Sequence, residues 1–264
     1  MTLISSRENS VIKDYIRLCS AKSARASSGR FAIEGARLCH DALGSGLRIE
    51  SVFLTREACE KYVDVTAQLM NCGTQVYEIT QAVAMKMTDT QNPQGIFCVA
   101  YMLDKTLDMD KIDINGAYIA LENMQDPGNL GTVLRTAEAF GFDGVFLSAD
   151  CADMYSPKVL RGAMGAVFRI PFLIADELPH LLITLSQKGV KTVAAVAEKG
   201  ALSVLEAELG GGITVVIGNE GAGLTPACAA ACTQRVTIPM GVRAQSLNAG
   251  AAAAILIWEI YKSR

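Results

Sequence analysis

Three times along the chain a short apolar, β-favouring run ends in a polar stretch rich in turn residues, which then opens into helically spaced apolar positions. The first run is residues 116–122 (GAYIALE); Asp126, Pro127, Gly128, Asn129 and Gly131 follow, with Leu130, Val133, Leu134, Ala137 and Phe140 at helical spacing. The second is residues 213–217 (ITVVI), which leads into residues 218–224 (GNEGAGL), with Thr225 as a predicted N-cap and Pro226 as the first helical residue. The third is residues 236–240 (VTIPM), then a polar loop over 241–245, then Ser246, Leu247 and Asn248 opening an alanine-rich helix to Tyr261. Strand, tight loop and helix in that order place loop side chains at the carboxyl edge of a parallel sheet, where open α/β folds bind ligands. Asn129 reads as the N-cap of the first of these helices. Arg135, one and a half turns on, can point back towards the loop.

Residues 31–101 carry a pattern of their own: FAIEGARLCHDAL, IESVFLT, a charged helical stretch over 57–71, TQVYEI and QGIFCVAYM. They predict a separate α/β unit, closed by the Asn92, Pro93, Gln94, Gly95 turn before its last strand. Residues 103–115 are charged and weakly periodic, as a linker would be. The expected organisation is a smaller α/β domain over 1–103, a linker over 104–115 and a parallel-sheet α/β domain over 116–264.

The chain has 264 residues, half of them apolar, enough for one large or two smaller cores. A formal net charge of -3 excludes a bulk polycation but not a local phosphate-binding patch. Arg7, Lys13, Arg17, Lys22, Arg25 and Arg30 face only Glu8 and Asp14 in the first thirty residues. That cluster reads either as the solvated basic face of a helix or as a contact for RNA. Eight singly scattered cysteines without a CxxC pair, and only two histidines, His40 and His180, suggest neither a disulfide framework nor a zinc site. Cys228 and Cys232, four apart, read as packing residues. The segment MTLISSRENS does not resemble a targeting peptide, and no charge-free apolar run reaches ~18 residues. A cytoplasmic protein without a membrane segment is the expectation. Gly218, Gly221 and Gly223 form GxxGxG, not the dinucleotide fingerprint GxGxxG, and no acidic strand end follows about 20 residues later.

The three corners, N..DPGN.G...RTA.AFG, VIGNEGAGL and IPM.....SLN, resemble in order the three motifs of the SpoU (TrmH-like) RNA 2'-O-methyltransferases of the SPOUT superfamily. FAIEGARLCHDAL similarly resembles the small substrate-binding domain, related to a ribosomal-protein fold, that precedes many of their catalytic domains. The resemblance implies a C-terminal α/β domain with a deep trefoil knot, which chain-threading rules alone would never suggest. It implies S-adenosylmethionine (AdoMet) as methyl donor, no metal, an RNA partner and a homodimer formed by catalytic-domain helices. Two segments are candidates for that interface: the first-corner helix to Phe140, and the apolar tail to Trp258. The tandem architecture points to large-subunit ribosomal RNA before transfer RNA. A transfer-RNA 2'-O-methyltransferase and a non-catalytic RNA-binding SPOUT protein remain the alternatives.

By resemblance the cofactor is held largely by backbone groups at Gly218, Ile238 and Leu247, and the catalytic positions are Arg135, Asn129, Glu220, Ser246 and Asn248. Asn129 and Asn248 could orient ribose or Arg135, Glu220 could pair with an arginine, and Ser246 could relay a hydrogen bond. For Ser246 and Asn248 helix capping competes with these roles. An arginine base would need a very large pKa depression, because guanidinium groups stay protonated to pH ~12, whereas clamping phosphate and a developing alkoxide needs none. Arg7, Lys13, Arg25, Arg30, Lys158 and Arg161 are the candidate RNA contacts, the last two in a basic, small-residue helix between the first and second corners. Met164 stands there where the family often has serine.

Overall fold

The computed structural model describes residues 1–264 apart from 89, 104–106, 199 and 242–245. The chain divides into two compact units, Met1–Asp104 with Asp153–Phe168, and Lys105–Ala152 with Arg169–Arg264.

In the first unit, β1 (Thr2–Ile4), β2 (Arg30–Glu34), β3 (Ile49–Leu54), β4 (Gln75–Ile79) and β5 (Ile96–Tyr101) form one sheet in the order β1-β4-β3-β5-β2. β4 runs parallel to β1 and β3, and β5 antiparallel to β2 and β3. The run FAIEGARLCHDAL divides at Gly35, whose φ of 101° suits glycine, into β2 and the helix α3. The helices are α1 (Ser10–Ser20), α2 (Lys22–Ser28), α3 (Ala36–Gly44), α4 (Arg56–Lys61), α5 (Val63–Met70) and α6 (Gln81–Met87). α1 buries Ile12, Tyr15 and Leu18, a stripe at helical spacing. The Tyr15 ring meets Phe53 and Phe97 edge-on at 5.9 and 5.6 Å, and its hydroxyl donates to the Ile33 carbonyl at 3.2 Å. A buried phenol is tolerated there because its polar end finds an acceptor.

The second unit holds a seven-stranded, wholly parallel sheet. Its first strand β6 (Ala117–Leu121) leads to α7 (Pro127–Ala139) and β7 (Gly144–Ser148). Residues 153–168, including α8 (Pro157–Ala163), group with the first unit, where the Tyr155 ring lies 4.7 Å from that of Phe31. The chain then supplies β8 (Phe172–Ala175), α9 (Leu178–Gln187), β9 (Lys191–Ala195), β10 (Leu202–Ser203), β11 (Ile213–Ile217), α10 (Pro226–Ala231), β12 (Gln234–Thr237) and α11 (Ala249–Lys262). Spatial order is β10-β12-β9-β11-β6-β7-β8. β6 and β11 are buried at all five positions, which is why both read as unbroken apolar runs. Leu107, Met109 and Ile112, from the segment expected to be a linker, pack on this unit's core. Because every strand is parallel, the ends of β6, β11 and β12 open on one edge of the sheet. Among the described residues no helix is long and apolar enough to cross a membrane.

Candidate active site

The first corner begins where β6 ends. Asp126, not Asn129, caps α7: its Oδ1 accepts from the Asn129 backbone N–H at 2.8 Å, and Pro127 takes the first helical position, where no N–H is needed. The expected cap is thereby corrected, and the Asn129 side chain is released for longer-range bonds. Its Nδ2 donates to Glu220 Oε1 at 3.1 Å, and its Oδ1 accepts from Asn248 Nδ2 at 2.9 Å. A carboxylate can only accept, so Glu220 fixes which way the Asn129 amide faces. Asn248 is itself the N-cap of α11, accepting from the Ala251 N–H at 3.1 Å. Three predicted residues, one from each corner, thus form a single chain of hydrogen bonds. Gly250 keeps it open, since a Cβ there would stand 3.3 Å from Asn129 Oδ1.

Glu220 was expected to pair with an arginine, but its described partners are neutral donors: the Asn129 and Asn219 amides, the Asp126 N–H at 3.1 Å and the Gln125 N–H at 3.4 Å. Burial works to raise its carboxyl, but the Asn129 amide, its own N–H and those of Asp126 and Gln125 hold it below the usual carboxylate range. A lowered native pKa contributes stability that is complete above the ordinary carboxylate range and is lost as pH falls through the lowered value. Thermal melts of wild type and Glu220→Gln should therefore differ most near neutrality and converge as pH falls below the ordinary carboxylate range. A gap that is constant across that range would remove Glu220 as the source.

In the second corner, Asn219 and Gly223 exchange two backbone hydrogen bonds, both 3.0 Å, which close the loop at its waist. Gly218 lies flush against this closure, where a Cβ would overlap the Gly223 carbonyl and the Leu224 nitrogen. The Asn219 side chain accepts from the Gly221 and Ala222 N–H groups at 2.9 and 3.0 Å and donates to the Asn123 carbonyl at 2.8 Å. Thr225 caps α10 as expected. In the third corner β12 ends at Thr237, so Ile238, expected in the strand, follows it half-buried. Leu247 is 37% exposed, and Ser246 is exposed outside the network. Residues 242–245 of the expected polar loop lie outside the described residues.

Arg135 is exposed on α7 and bonds to no described residue, and helical spacing puts it on the face of Gly128 and Thr132. The other basic candidates differ sharply. Arg25 is corrected: it is 4% exposed, paired with Asp153 at 2.6 Å, and donates to the carbonyls of Leu18 and Cys19, so it is buried away from any phosphate. Arg30 is bound by Asp14 at 3.0 Å and Glu50 at 2.6 Å, and Lys13 by Glu8 at 2.8 Å. Arg7 is exposed and donates to the Ala82 carbonyl, while Lys158 is exposed and Arg161 half-buried on α8. The first thirty residues are basic in sequence, but Arg25 and Arg30 meet carboxylates from elsewhere in the chain, Asp153 and Glu50. Burial pushes the Cys228 and Cys232 thiols up to about 12, in keeping with packing roles.

Sequence reasoning missed the bonds that Asp126 and Asn219 make to loop and helix backbone and that Glu122 makes to distant Thr225; only the charge ending GAYIALE marked Glu122.

A model of the SpoU rRNA methylase family matches residues 116–258, and one of the MRM3-like substrate binding domain matches residues 9–98. The chain is 32% identical over 260 residues to the Bacillus subtilis 23S rRNA (guanosine(2553)-2'-O)-methyltransferase RlmP, covering 98% of this chain and 99% of that one. Crystal structures of an AdoMet-bound rRNA methyltransferase from Sinorhizobium meliloti and of an RNA 2'-O ribose methyltransferase superpose with TM-scores of 0.87 and 0.82. Their identities are 29% and 31%, and each covers 99% of this chain, which covers 97% and 99% of theirs. With the family match spanning all three hydrogen-bonded corners and likeness running the whole length, the chain belongs to the SpoU rRNA methylase family.

Proposed function

We propose that the protein transfers a methyl group from AdoMet to a ribose 2'-hydroxyl of large-subunit ribosomal RNA. The observation that carries this reading is the Asn129–Glu220–Asn248 network, which ties the three corners together, with Arg135 exposed further along α7. The residues present suit the donor: a loop backbone so tight at Gly218 that no side chain intervenes, and uncharged apolar surface at Ile238 and at exposed Leu247. When bound, AdoMet supplies an electrophilic methyl on a sulfonium, which departs as a neutral thioether. Gly218, Ile238 and Leu247 hold it, chiefly through backbone groups. Asn129, Glu220 and Asn248 keep the corners in register so that the reactants meet in line. As the methyl arrives the 2'-hydroxyl gives up its proton to water; Arg135 acts as a clamp on the phosphate and on the 2'-oxygen as its negative charge develops, and Ser246 offers a hydroxyl to the ribose. The N-terminal unit carries the RNA, through Arg7 and Lys13, with Lys158 and Arg161 on the α8 segment that groups with it.

The test is incubation with methyl-labelled AdoMet and unmodified ribosomal or transfer RNA, then digestion to nucleosides. Label in 2'-O-methylribose of large-subunit RNA is expected. Label in a base overturns the reaction assignment, and label confined to transfer RNA overturns the substrate.

The homodimer, the knot and a cytoplasmic location belong to the same reading. For the dimer, α11 exposes Ile255, Trp258 and Tyr261 on one face at 37, 45 and 49%, and Phe140 at the end of α7 packs on the two rings at 5.6 and 5.1 Å. Large aromatic rings left this open are the chemistry of an interface centre. Trp258→Glu should turn a dimer into a monomer in sedimentation experiments, and an unchanged sedimentation coefficient would place the interface elsewhere.

A further inference from the structure

Glu122 has no place in the reaction derived above, yet it is a carboxylate only 8% exposed at the end of a central strand. Its backbone N–H donates to the Ile217 carbonyl at 2.8 Å, extending the β6–β11 pairing by one residue. Both side-chain oxygens accept from Thr225, Oε2 from its N–H at 2.8 Å and Oε1 from its hydroxyl at 2.7 Å, with the Cys228 thiol as a further neighbour. Among the described residues no cation pairs with it. A buried acid is costly unless its oxygens are satisfied, so this arrangement holds only while Thr225 stays in place. Asn123, the next residue, accepts from Asn219 at the loop's other end and has a left-handed φ of 50°, a strain that asparagine tolerates. Two consecutive residues at the end of β6 therefore grip both ends of the loop over 219–225.

We propose that Glu122 is a positioning residue for the methyl donor, setting the conformation of the Gly218–Leu224 backbone through its two-oxygen grip on Thr225. This inference rests on the assignment of that loop to AdoMet. A loop backbone can bind only where its N–H and C=O groups are held ready, and an anchor outside the site fixes them without touching the ligand. The exposed loop residues Gly221, Ala222 and Gly223 add no packing of their own, so rigidity has to come from the ends.

Two full-length variants test it. Glu122→Gln keeps the shape but turns an amide towards one of the two donors, and Thr225→Val removes the hydroxyl while leaving the backbone N–H. Each should raise the Kd and KM for AdoMet roughly tenfold with kcat within about twofold, and the double variant should be little worse than either single one, since all three break one grip. Variants that bind AdoMet like wild type, or that lose only thermal stability, or that lose kcat at unchanged KM, overturn the proposal. If Glu122→Gln does not fold, Thr225→Val alone decides. Wild-type protein that fails to bind AdoMet would instead remove the underlying assignment, so the two failures are distinguishable.

Discussion

Arg135→Ala should lower methyl transfer by about 10³-fold while leaving both AdoMet affinity and thermal stability close to wild type. The two halves of that expectation have separate grounds. The side chain is exposed and bonds to no described residue, so its removal leaves no buried partner behind, and alanine is at least as good a helix former at this position. On the proposed clamp role the loss falls on the transition state, where the developing charge on the 2'-oxygen would have no substitute cation. Arg135→Lys separates charge from shape. It keeps one positive centre but not the planar fork, and should recover only part of the rate. Single-turnover transfer with saturating RNA and AdoMet, alongside calorimetric titration of AdoMet, makes the measurement. Near wild-type turnover in Arg135→Ala would take the residue out of the mechanism, and a parallel loss of AdoMet binding would move it to the cofactor side.

Gly218→Ala should abolish useful AdoMet binding, weakening it by about 10²-fold or ~3 kcal/mol, and should lower the melting temperature as well. A Cβ at this position overlaps the Gly223 carbonyl group and the Leu224 nitrogen, all backbone atoms, so no rotamer change can relieve it. The Asn219–Gly223 closure has to open instead, which disturbs the loop that Glu220 and Thr225 extend from. Gly221→Ala is the matched control: a Cβ there meets nothing nearer than Asn219 Oδ1 at 3.6 Å. The control should bind AdoMet as wild type does. Equal effects of the two substitutions would mean that loop flexibility, not the close approach at Gly218, governs affinity.

The three corners were legible because each combines two local signals with a short reach: a buried strand, read from an unbroken apolar run such as ITVVI, and a helix start, read from Thr225-Pro226 or from Asn248 before the alanines. Capping and turn chemistry act within three or four residues, so sequence spacing captures them. It failed at Asn129: the cap is Asp126, three residues earlier, which turn chemistry alone had claimed. The basic face of the first thirty residues was a weaker inference. Arg25 and Arg30 were counted against near neighbours, while their full complement of carboxylates includes Asp153 and Glu50, 128 and 20 residues away.

The sequence by itself determined the three strand-loop-helix corners, the separate N-terminal α/β unit and the family that the corners resemble. Periodicity, capping and motif order are properties of neighbouring residues and survive without a fold. Only the tertiary structure decided what each polar group is for. Asn129 touches Glu220 and Asn248 across 91 and 119 residues, and Thr225 meets Glu122 across 103. Residues 153–168 leave the sequence of the second unit to pack with the first. Hydrogen bonds and ion pairs form between whatever the fold brings within 3 Å or so, and no local pattern records that distance.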